Sequence, residues 1–515
     1  MKAAAFKSRD VDMRVDEEIW GHRIYNEQTP WLCFLEFLNV LYSEHRAGNA
    51  FVERELNTLS YQPQHRLYLR NILFNNPRLV AVLKETNNDE SRWQKWLLYM
   101  QNDQGGLSDT ADFGYLQARF DKFSDFAKMV NFIRGTAIEG DSNKRWSSKF
   151  VFPYGPACLY EDLQVPTIRG NPSNDRRFFA RTGEILYLMI CRSDKGKELL
   201  PYFQDMLFRE TNKWNKIVLA LQPGEELEPV QTKMRDGAYL PIGPRVEYQN
   251  LANDWLQILR CAMPGYDAIP HMVTIMGLHI ILYLLNRAKE ELQLLEKTTF
   301  VLEIISPERN SVHQLATASY RENNRLTQQA VEAYIDQKMA GSAWQTAIQS
   351  QDTGTLDILF EEDFAFTWKD KGDTSKSTVE SMIRDFKERA SSRHQKHLEK
   401  VHGVWGSAIG LSSKRSSRSI IHYATNDMLL KTVVLATVSD RMEFQEFLQV
   451  LYIKYGFIVG AKQALALFDA KKAEQDDFTM NEKRLEDRLA SLGLLKRLSD
   501  ACAYVENPFS QELQK

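Results

Sequence analysis

An apolar run at residues 271–286, HMVTIMGLHIILYLLN, constrains the fold of this chain most, because it must be kept out of water. It is shorter than a bilayer span requires, contains two histidines and continues into the charged sequence RAKEELQ. The run therefore predicts a buried core helix. The N-terminal sequence MKAAAFKSRDVDMRVDEE has no apolar core long enough for a signal peptide. We expect a soluble, cytoplasmic protein without a membrane partner.

At 515 residues, the chain is too long for one simple core and should form two to four domains. The formal net charge of -3 argues against a protein that coats nucleic acid with its whole surface, but it leaves room for a local basic face. The cysteines lie far apart beside apolar residues and form no CxxC pair, which predicts reduced, buried thiols. They are Cys33, Cys158, Cys191, Cys261 and Cys502.

Helical spacing of apolar residues dominates the chain and predicts a mainly α protein with a multi-domain helical body and a few strands. Thr29 followed by Pro30 marks the start of one helix, with the threonine as N-cap. The sequence GYLQARFDKFSDFAKMVNFIRGTAIE, residues 114–139, predicts a single long helix.

Changes in composition divide the chain into four predicted parts. Residues 1–139 form an N-terminal helical domain, and 140–348 a mainly helical central domain with long irregular loops. Residues 349–418 form an acidic and then basic connecting segment, and 419–515 a C-terminal winged-helix domain.

The loop at residues 140–175 mixes basic and aromatic side chains. Lys144, Arg145 and Lys149 lie among rings that could stack on nucleic-acid bases. The alternative, which we favour, is an ordered loop held by its own aromatic residues.

Residues 441–509 contain, in order, an amphipathic helix, an apolar strand at 457–459, a second helix, a third helix and a hairpin. Thr479 and Glu482 have the spacing of a capping box and predict the start of the third helix. Gly493 is placed to end that helix in a left-handed turn. This order predicts a winged helix-turn-helix, a fold that serves either DNA contact or protein docking. Both uses stay open.

Positive charge is concentrated in the third helix, in the hairpin and in the basic segment at 384–418. In the third helix, however, acidic neighbours offset the cations, although phosphate neutralisation supplies much of the affinity for DNA. The candidate DNA-binding residues are Lys483, Arg484, Arg488, Lys496, Arg497, Arg393, Lys396, Lys414, Arg415 and Arg418.

Motifs that signal catalysis are missing from the sequence. It contains no GxxxxGK[ST], no GxGxxG after a strand, no HExxH and no GxSxG. The cluster His394, His397 and His402 has no cysteine at ligand spacing, and a solvated basic helix explains it better than a metal site. Glu303 in FVLEIIS invites comparison with restriction-type nucleases, but Ile305 stands where their lysine would be. A buried strand with one polar member is the favoured interpretation.

These absences predict a protein that is not an enzyme and holds no cofactor or metal. The competing hypothesis is a divergent metal-dependent nuclease with its site in the loops at 140–250. Its candidate acids are Glu161, Asp162, Glu184 and Asp236, which are better explained as surface or capping carboxylates.

Three stretches carry a loose resemblance to known proteins. They are WGHRIYNEQTPWLCFLEFLNVL, RDGAYLPIGPRVEYQNLANDW and the C-terminal NDMLLKTVVLATV…EFLQVLYIKYGFIVG…RLEDRLASLGLLKRLSDACAYVENPF. The chain resembles, as a group, the large accessory proteins of multi-gene bacterial anti-phage defence systems. The resemblance implies a non-catalytic subunit that works beside separate nucleases, methyltransferases or ATPases.

The sequence as a whole therefore predicts a non-enzymatic DNA-engaging or scaffold subunit of a bacterial multi-protein complex. DNA and other protein subunits are the expected partners. A purely protein-docking module is the remaining alternative.

Overall fold

The computed structural model describes residues 13–510, except 53–58, 60, 62, 86–87, 103–106, 108–110, 139–150, 165–172, 175–178, 210, 225–239, 241, 305–309, 369–377, 415–419, 470–473 and 500–501.

The protein is mainly α, as predicted, with a few short strands in small sheets. In the first half of the chain the helices are α1 (Val15–Trp20), α2 (Pro30–Arg46), α3 (Leu67–Leu73), α4 (Leu79–Glu85), α5 (Asp89–Asn102), α6 (Tyr115–Arg119), α7 (Phe123–Gly135), α8 (Thr182–Cys191), α9 (Gly196–Phe203), α10 (Lys213–Ala220) and α11 (Val246–Arg260). In the second half they are α12 (Gly265–Glu291), α13 (Ser311–Met339), α14 (Ser342–Gln349), α15 (Thr353–Phe364), α16 (Val379–Lys396), α17 (Leu398–Ala408), α18 (Asp427–Thr437), α19 (Phe444–Tyr455), α20 (Leu465–Asp469) and α21 (Gln475–Ser491).

The predicted core helix is α12, which other helices surround. It packs against α1, α2, α11, α13, α17 and α18. By length and composition α12 could cross a membrane, but 89% of its most apolar window is buried inside the protein. The other helices cover the apolar side chains of α12 and so remove them from contact with water, which is favourable.

Helices α2 and α8 approach each other closely at Gly183. A Cβ atom at this position would lie 2.6 Å from the Cys33 carbonyl oxygen and 2.5 Å from the Phe37 amide nitrogen, so a larger residue would push the helices apart. The predicted N-cap of α2 is confirmed, because the Thr29 hydroxyl accepts a hydrogen bond from the Leu32 amide at 3.4 Å.

The largest hydrophobic cluster extends through all four predicted parts of the chain. It contains, for example, Phe37, Ile280, Phe386 and Leu451. A second cluster joins α3–α7 to residues near α8 and α10, and it includes Trp93 and Trp96. The four parts therefore share buried surface, and the domain boundaries drawn from composition stay a prediction.

Some of the short strands pair with a strand nearby in sequence and others with a distant one. The first pair is β1 (Leu163–Gln164) with β2 (Ser173–Asn174), antiparallel. Strand β3 (Phe300–Val301) runs parallel to β7 (Phe457–Ile458), and β4 (Ser412–Ser413) runs antiparallel to β5 (His422–Tyr423). A parallel bridge between Glu303 and Ala424 links the extension of β3 to that of β5.

A three-stranded sheet lies at the C-terminus, with β6 (Arg441–Glu443), β8 (Leu495–Ser499) and β9 (Cys502–Glu506) in the order β6-β9-β8. The predicted hairpin is confirmed as β8 and β9, and Gly493 adopts the expected left-handed conformation with φ 72°. The predicted strand at 457–459 forms as β7, but its partner is β3 and not the hairpin. The strand beside the hairpin is β6, which precedes α19. The winged helix-turn-helix stays a prediction.

The capping box predicted at Thr479 is wrong. Helix α21 begins one turn earlier, and the Thr479 hydroxyl donates to the carbonyl of Gln475 inside the helix. Asp476 and Asp477 occupy the first turn, where negative charge is favourable beside the helix N-terminus.

The single helix predicted at 114–139 is also wrong, because it is broken between α6 and α7. Phe120 takes an extended conformation at the break, and its ring lies 5.5 Å from that of Phe126. This aromatic contact folds the two short helices onto one core. Four of the five cysteines are buried free thiols as predicted, whereas Cys502 is half-buried.

A buried carboxylate, that of Asp254 on α11, connects the helical body to α19. One carboxylate oxygen lies 2.6 Å from His279 Nε2 on α12 and accepts a hydrogen bond of 2.9 Å from the Tyr455 hydroxyl. The other oxygen accepts from the Lys454 ammonium group. Since Asp254 is fully buried, these partners replace the water that its charge has lost.

We predict that Asp254→Ala lowers the free energy of unfolding by about 3–5 kcal/mol, because it leaves the Lys454 charge without its buried partner. Urea unfolding followed by circular dichroism measures this change. Asp125→Ala is the matched control, since Asp125 forms an exposed ion pair with Lys128. Equal stability of the two variants would contradict the prediction.

Candidate nucleic-acid interface

A groove of about 1250 Å³ lies where α17, the strand pair β4–β5, the start of α18 and the last turn of α21 meet. It is built from parts of the chain that are far apart in sequence, from Tyr320 on α13 to Arg488 on α21. The groove joins the predicted basic segment to the predicted third helix.

Three cations line this groove, and two of them are among the predicted DNA-binding residues. Lys414 follows β4 and Arg488 lies on α21, while Lys400 on α17 belongs to the predicted basic segment. Both lysines are exposed. Arg488 is fixed by Asp427, with 2.6 Å between Nη2 and Oδ1.

Two acids, Glu399 and Asp427, also line the groove and partly offset its positive charge. Asp427 is the first residue of α18, whose N-cap Asn426 accepts a hydrogen bond of 2.8 Å from the Leu429 amide. The N-terminus of α18 therefore faces the groove, where its partial positive charge favours an anion.

A tight turn shapes the groove beside Asn426. Gly410 has φ 78°, in the left-handed region that favours glycine. A Cβ atom there would lie 2.0 Å from the Asn426 side chain, so a larger residue would displace the α18 cap.

One wall of the groove rests on the buried side chain of His402. Its Nδ1 lies 3.1 Å from Asn324 Oδ1 and its Nε2 lies 2.7 Å from the Tyr423 hydroxyl. The ring stacks on Tyr320 with 4.9 Å between centroids. Burial lowers the pKa of His402 to about 4, so the imidazole is neutral at physiological pH.

Other residues of the predicted basic segment lie away from the groove. The Arg393 guanidinium binds the Glu17 carboxylate at 2.8 and 3.1 Å and is only 14% exposed, so it attaches α16 to α1. Lys396 is exposed at the end of α16 but does not line the groove. Arg415 and Arg418 lie outside the described residues.

The outer face of α21 and the hairpin carry the remaining predicted cations. Lys483 and Lys496 are exposed, and Arg484 is half-buried. Arg497 pairs with Glu486 across 2.5 Å. Exposed Asp476 and Asp487 balance the lysines on this face. The groove, in contrast, brings together two predicted cations, Lys414 and Arg488, from segments that are distant in sequence.

The prediction that the histidines near α16 are solvated is wrong, because His394 and His402 are buried. The three histidines of this region do not point at a common site, because each contacts a different partner. His394 Nδ1 lies 3.0 Å from Asp16 and His397 Nδ1 lies 3.3 Å from Glu27.

The acids of the nuclease hypothesis are occupied by structural contacts. Asp162 pairs with Arg70 at 2.6 Å, and Glu184 with Arg181 at 3.3 Å. Glu161, Asp162 and Glu184 are all buried, so the interpretation as surface carboxylates is wrong for these three. Glu184 lies in the first turn of α8, where the alternative interpretation as a capping carboxylate would place it. Asp236 lies outside the described residues.

Aromatic packing holds the described part of the loop at 140–175, in line with the interpretation favoured above. The Tyr154 ring stacks on Trp214 at 5.0 Å, and Phe152 contacts Trp31 at 5.9 Å. The basic residues Lys144, Arg145 and Lys149 fall outside the described residues.

Glu303 is buried beside β3, as the sequence indicated. Its carboxylate contacts two histidines, His313 and His422, which sequence reasoning missed. No local motif joins these positions, because β5 brings His422 to Glu303 only in the folded protein. Among the described residues, these three side chains are the group that could hold a metal ion.

No family model matches this chain, and neither the curated proteins nor the solved structures contain a match to it.

We predict that His402 makes the protein less stable as pH falls from 6.5 to 4. Its folded-state pKa of about 4 lies below the ordinary value of 6.5, so the unfolded chain gains a proton first. At pH 5 this difference amounts to about 2 kcal/mol. His402→Gln, which keeps polar atoms near Tyr423, should lose correspondingly less stability between pH 7 and pH 5.

Urea unfolding of both proteins at the two pH values measures this effect. His45→Gln serves as the control, since that histidine lies outside the groove wall. A His402→Gln variant with the same pH-dependent loss as the unaltered protein would refute the role of His402.

Proposed function

We propose that this protein is a non-enzymatic, DNA-engaging subunit of a multi-protein complex and that the groove between α17 and α21 contacts the DNA backbone. The observation that carries the proposal is the position of Lys400, Lys414 and Arg488 around one open cleft. Two of these cations belong to the predicted basic segment and the third to α21, so folding brings two distant parts of the chain together.

The chemistry of the groove suits a phosphate backbone. Lysine and arginine side chains neutralise phosphates and release the counterions bound to DNA, which supplies much of the affinity. Amide and hydroxyl groups such as those of Asn324, Ser407 and Asn426 also line the groove and can bond phosphate or sugar oxygens. The N-terminus of α18 adds backbone N–H groups.

The arrangement around the groove supports a winged helix in which α18 is the first helix. The elements then follow as α18, β6, α19, α21, β8 and β9, with β7 and α20 inserted between α19 and α21. The sheet order is β6-β9-β8. In this interpretation α21 is the second helix of the helix-turn-helix, which in DNA-binding proteins enters the major groove. It differs from the sequence prediction, which took α19 as the first helix.

Backbone contact suits this protein better than base readout. Asp476 and Asp487 offset Lys483 on the exposed face of α21, and acidic side chains would face the negative groove of DNA. We therefore expect binding that depends strongly on salt and weakly on sequence.

Replacing the groove cations tests the proposal. A triple variant should bind a DNA duplex at least about tenfold more weakly than the unaltered protein. It combines Lys400→Gln, Lys414→Gln and Arg488→Gln. The slope of log affinity against log salt concentration should fall by about two to three, because each lost phosphate contact removes roughly 0.9. Fluorescence anisotropy across a salt series measures both quantities.

Two further variants serve as comparisons. A triple control variant removes three exposed lysines outside the groove and should leave the salt slope unchanged; it combines Lys84→Gln, Lys122→Gln and Lys216→Gln. Lys483→Gln with Lys496→Gln probes the outer face of α21 and the hairpin. If only this last variant loses binding, α21 and the hairpin carry the contact and the groove does not. Full binding by the groove variant would remove the groove from the proposal.

Exposed apolar side chains in the C-terminal elements favour protein docking as a second function. Ile453, Leu465, Met480 and Leu498 are each at least half exposed. The resemblance to accessory subunits of anti-phage defence systems also favours protein partners in a bacterial cytoplasm. Pull-down of the full chain before and after nuclease treatment separates the two functions, since partners held by DNA would be lost on treatment.

A further inference from the structure

The carboxylate of Glu303 and the imidazoles of His313 and His422 meet at one point beside the short parallel sheet. Glu303 Oε2 lies 2.8 Å from His313 Nδ1 and 3.0 Å from His422 Nε2. The two rings lie 4.7 Å apart at their centroids. Three ligand atoms of the types that bind zinc thus lie within 4.8 Å of one another.

We propose that Glu303, His313 and His422 bind a divalent transition-metal ion, with Zn²⁺ as the best match. Imidazole nitrogen and carboxylate oxygen suit Zn²⁺, whereas Ca²⁺ and Mg²⁺ prefer sites built from oxygen ligands. The proposal concerns binding and stability, and no reaction is assigned to the ion. It is independent of DNA binding by the groove.

The observed distances fit an ion after a small adjustment. With metal–ligand bonds of about 2.0–2.1 Å, two ligands of a tetrahedral ion lie about 3.3 Å apart. The two observed separations of 2.8 and 3.0 Å are a few tenths of an ångström shorter, as expected where hydrogen bonds take the place of metal bonds. The third separation, between His313 Nδ1 and His422 Nε2, lies within 4.8 Å, so an ion would also require these two nitrogens to adopt the spacing of metal ligands.

Burial makes a cation favourable at this position. Glu303 is 1% exposed and His422 is 3% exposed, so the carboxylate is largely shielded from water. Nδ1 of His422 is buried and has no hydrogen-bond partner among the described residues. Nδ1 of His422 is thus a buried polar atom that the contact with Glu303 leaves unsatisfied.

Each ligand lies on a backbone segment that other contacts hold in place. The Glu303 amide donates to the Tyr423 carbonyl at 3.1 Å, which aligns the β3 extension with β5. His313 lies in the first turn of α13, where its amide donates to the N-cap Asn310 at 3.1 Å. Such fixed backbones reduce the entropy that ligands lose when they bind a metal.

Asn481 on α21 further fixes the Glu303 segment. Its side chain donates to the carbonyls of Leu302 and Val459 and accepts from the Ile304 amide at 2.8 Å. The segment on either side of Glu303 is therefore tied to both α21 and β7. An ion at Glu303 would add a link from this junction to α13 and β5.

Cobalt binding tests the site directly. Tag-free full-length protein is treated with a chelator, dialysed and titrated with Co²⁺, whose visible d–d absorption reports low-symmetry coordination by nitrogen and oxygen ligands. We expect the band to saturate at one ion per chain and to disappear when Zn²⁺ is added. Saturating Zn²⁺ should also raise the melting temperature, because an ion that binds only the folded state stabilises it.

Variants assign the ligands. His313→Gln and Glu303→Gln should each weaken metal binding by at least about tenfold, since loss of even an outer partner costs this much in known sites. His271→Gln is the matched control, because that histidine is also partly buried but bonds Thr432 elsewhere. It should bind one ion with unchanged affinity, and circular dichroism checks that each variant is folded.

If a variant fails to fold, the cobalt and melting-temperature measurements on the unaltered protein can still overturn the proposal. Absence of the cobalt band, together with no change in melting temperature on addition of Zn²⁺, would show that Glu303 is only a hydrogen-bond acceptor. Equal metal affinity in the unaltered protein and in folded His313→Gln would place any ion elsewhere.

Discussion

The buried charge of Asp254 holds the C-terminal elements against the helical body. It accepts hydrogen bonds from Lys454 and Tyr455 at the end of α19 and lies 2.6 Å from His279 on the core helix α12. A carboxylate in this environment is tolerated only while its partners stay in place, since an unpaired buried charge costs several kcal/mol. The position of α19 is therefore coupled to the integrity of the core.

The groove and the cluster of Glu303, His313 and His422 (the Glu303 cluster) both depend on the attachment of α19 to the helical body. Directly after α19, β7 pairs with β3, and Asn481 binds the carbonyls of Leu302 and Val459. These contacts set α21 beside the β3 extension. From there Arg488 reaches Asp427 at the mouth of the groove. The β7–β3 pairing and the Asn481 hydrogen bonds thus position the segment of Glu303, and the ion pair with Asp427 positions Arg488, one of the groove cations.

The candidate site could be predicted from the sequence only in part. Lys414 and Arg488 were singled out by local charge, and both line the groove. Local charge also singled out Arg393, which the fold uses as an anchor for Glu17. The difference arises because a cation's role depends on the acid that folding places beside it, and Glu17 is remote in sequence from Arg393. His422 gave no signal at all, because Glu303 comes near it only in the folded protein, through the bridge between Glu303 and Ala424.

The sequence by itself determined the helical character, the buried α12, the cap at Thr29 and the C-terminal hairpin. These features follow from periodicity and side-chain chemistry within one segment, which short-range interactions suffice to define. Only the tertiary structure decided that β7 pairs with β3, that one core joins all four predicted parts, and that the groove and the Glu303 cluster exist. Such pairings depend on contacts between distant segments, whose stability comes from burial of the whole chain and not from any local pattern.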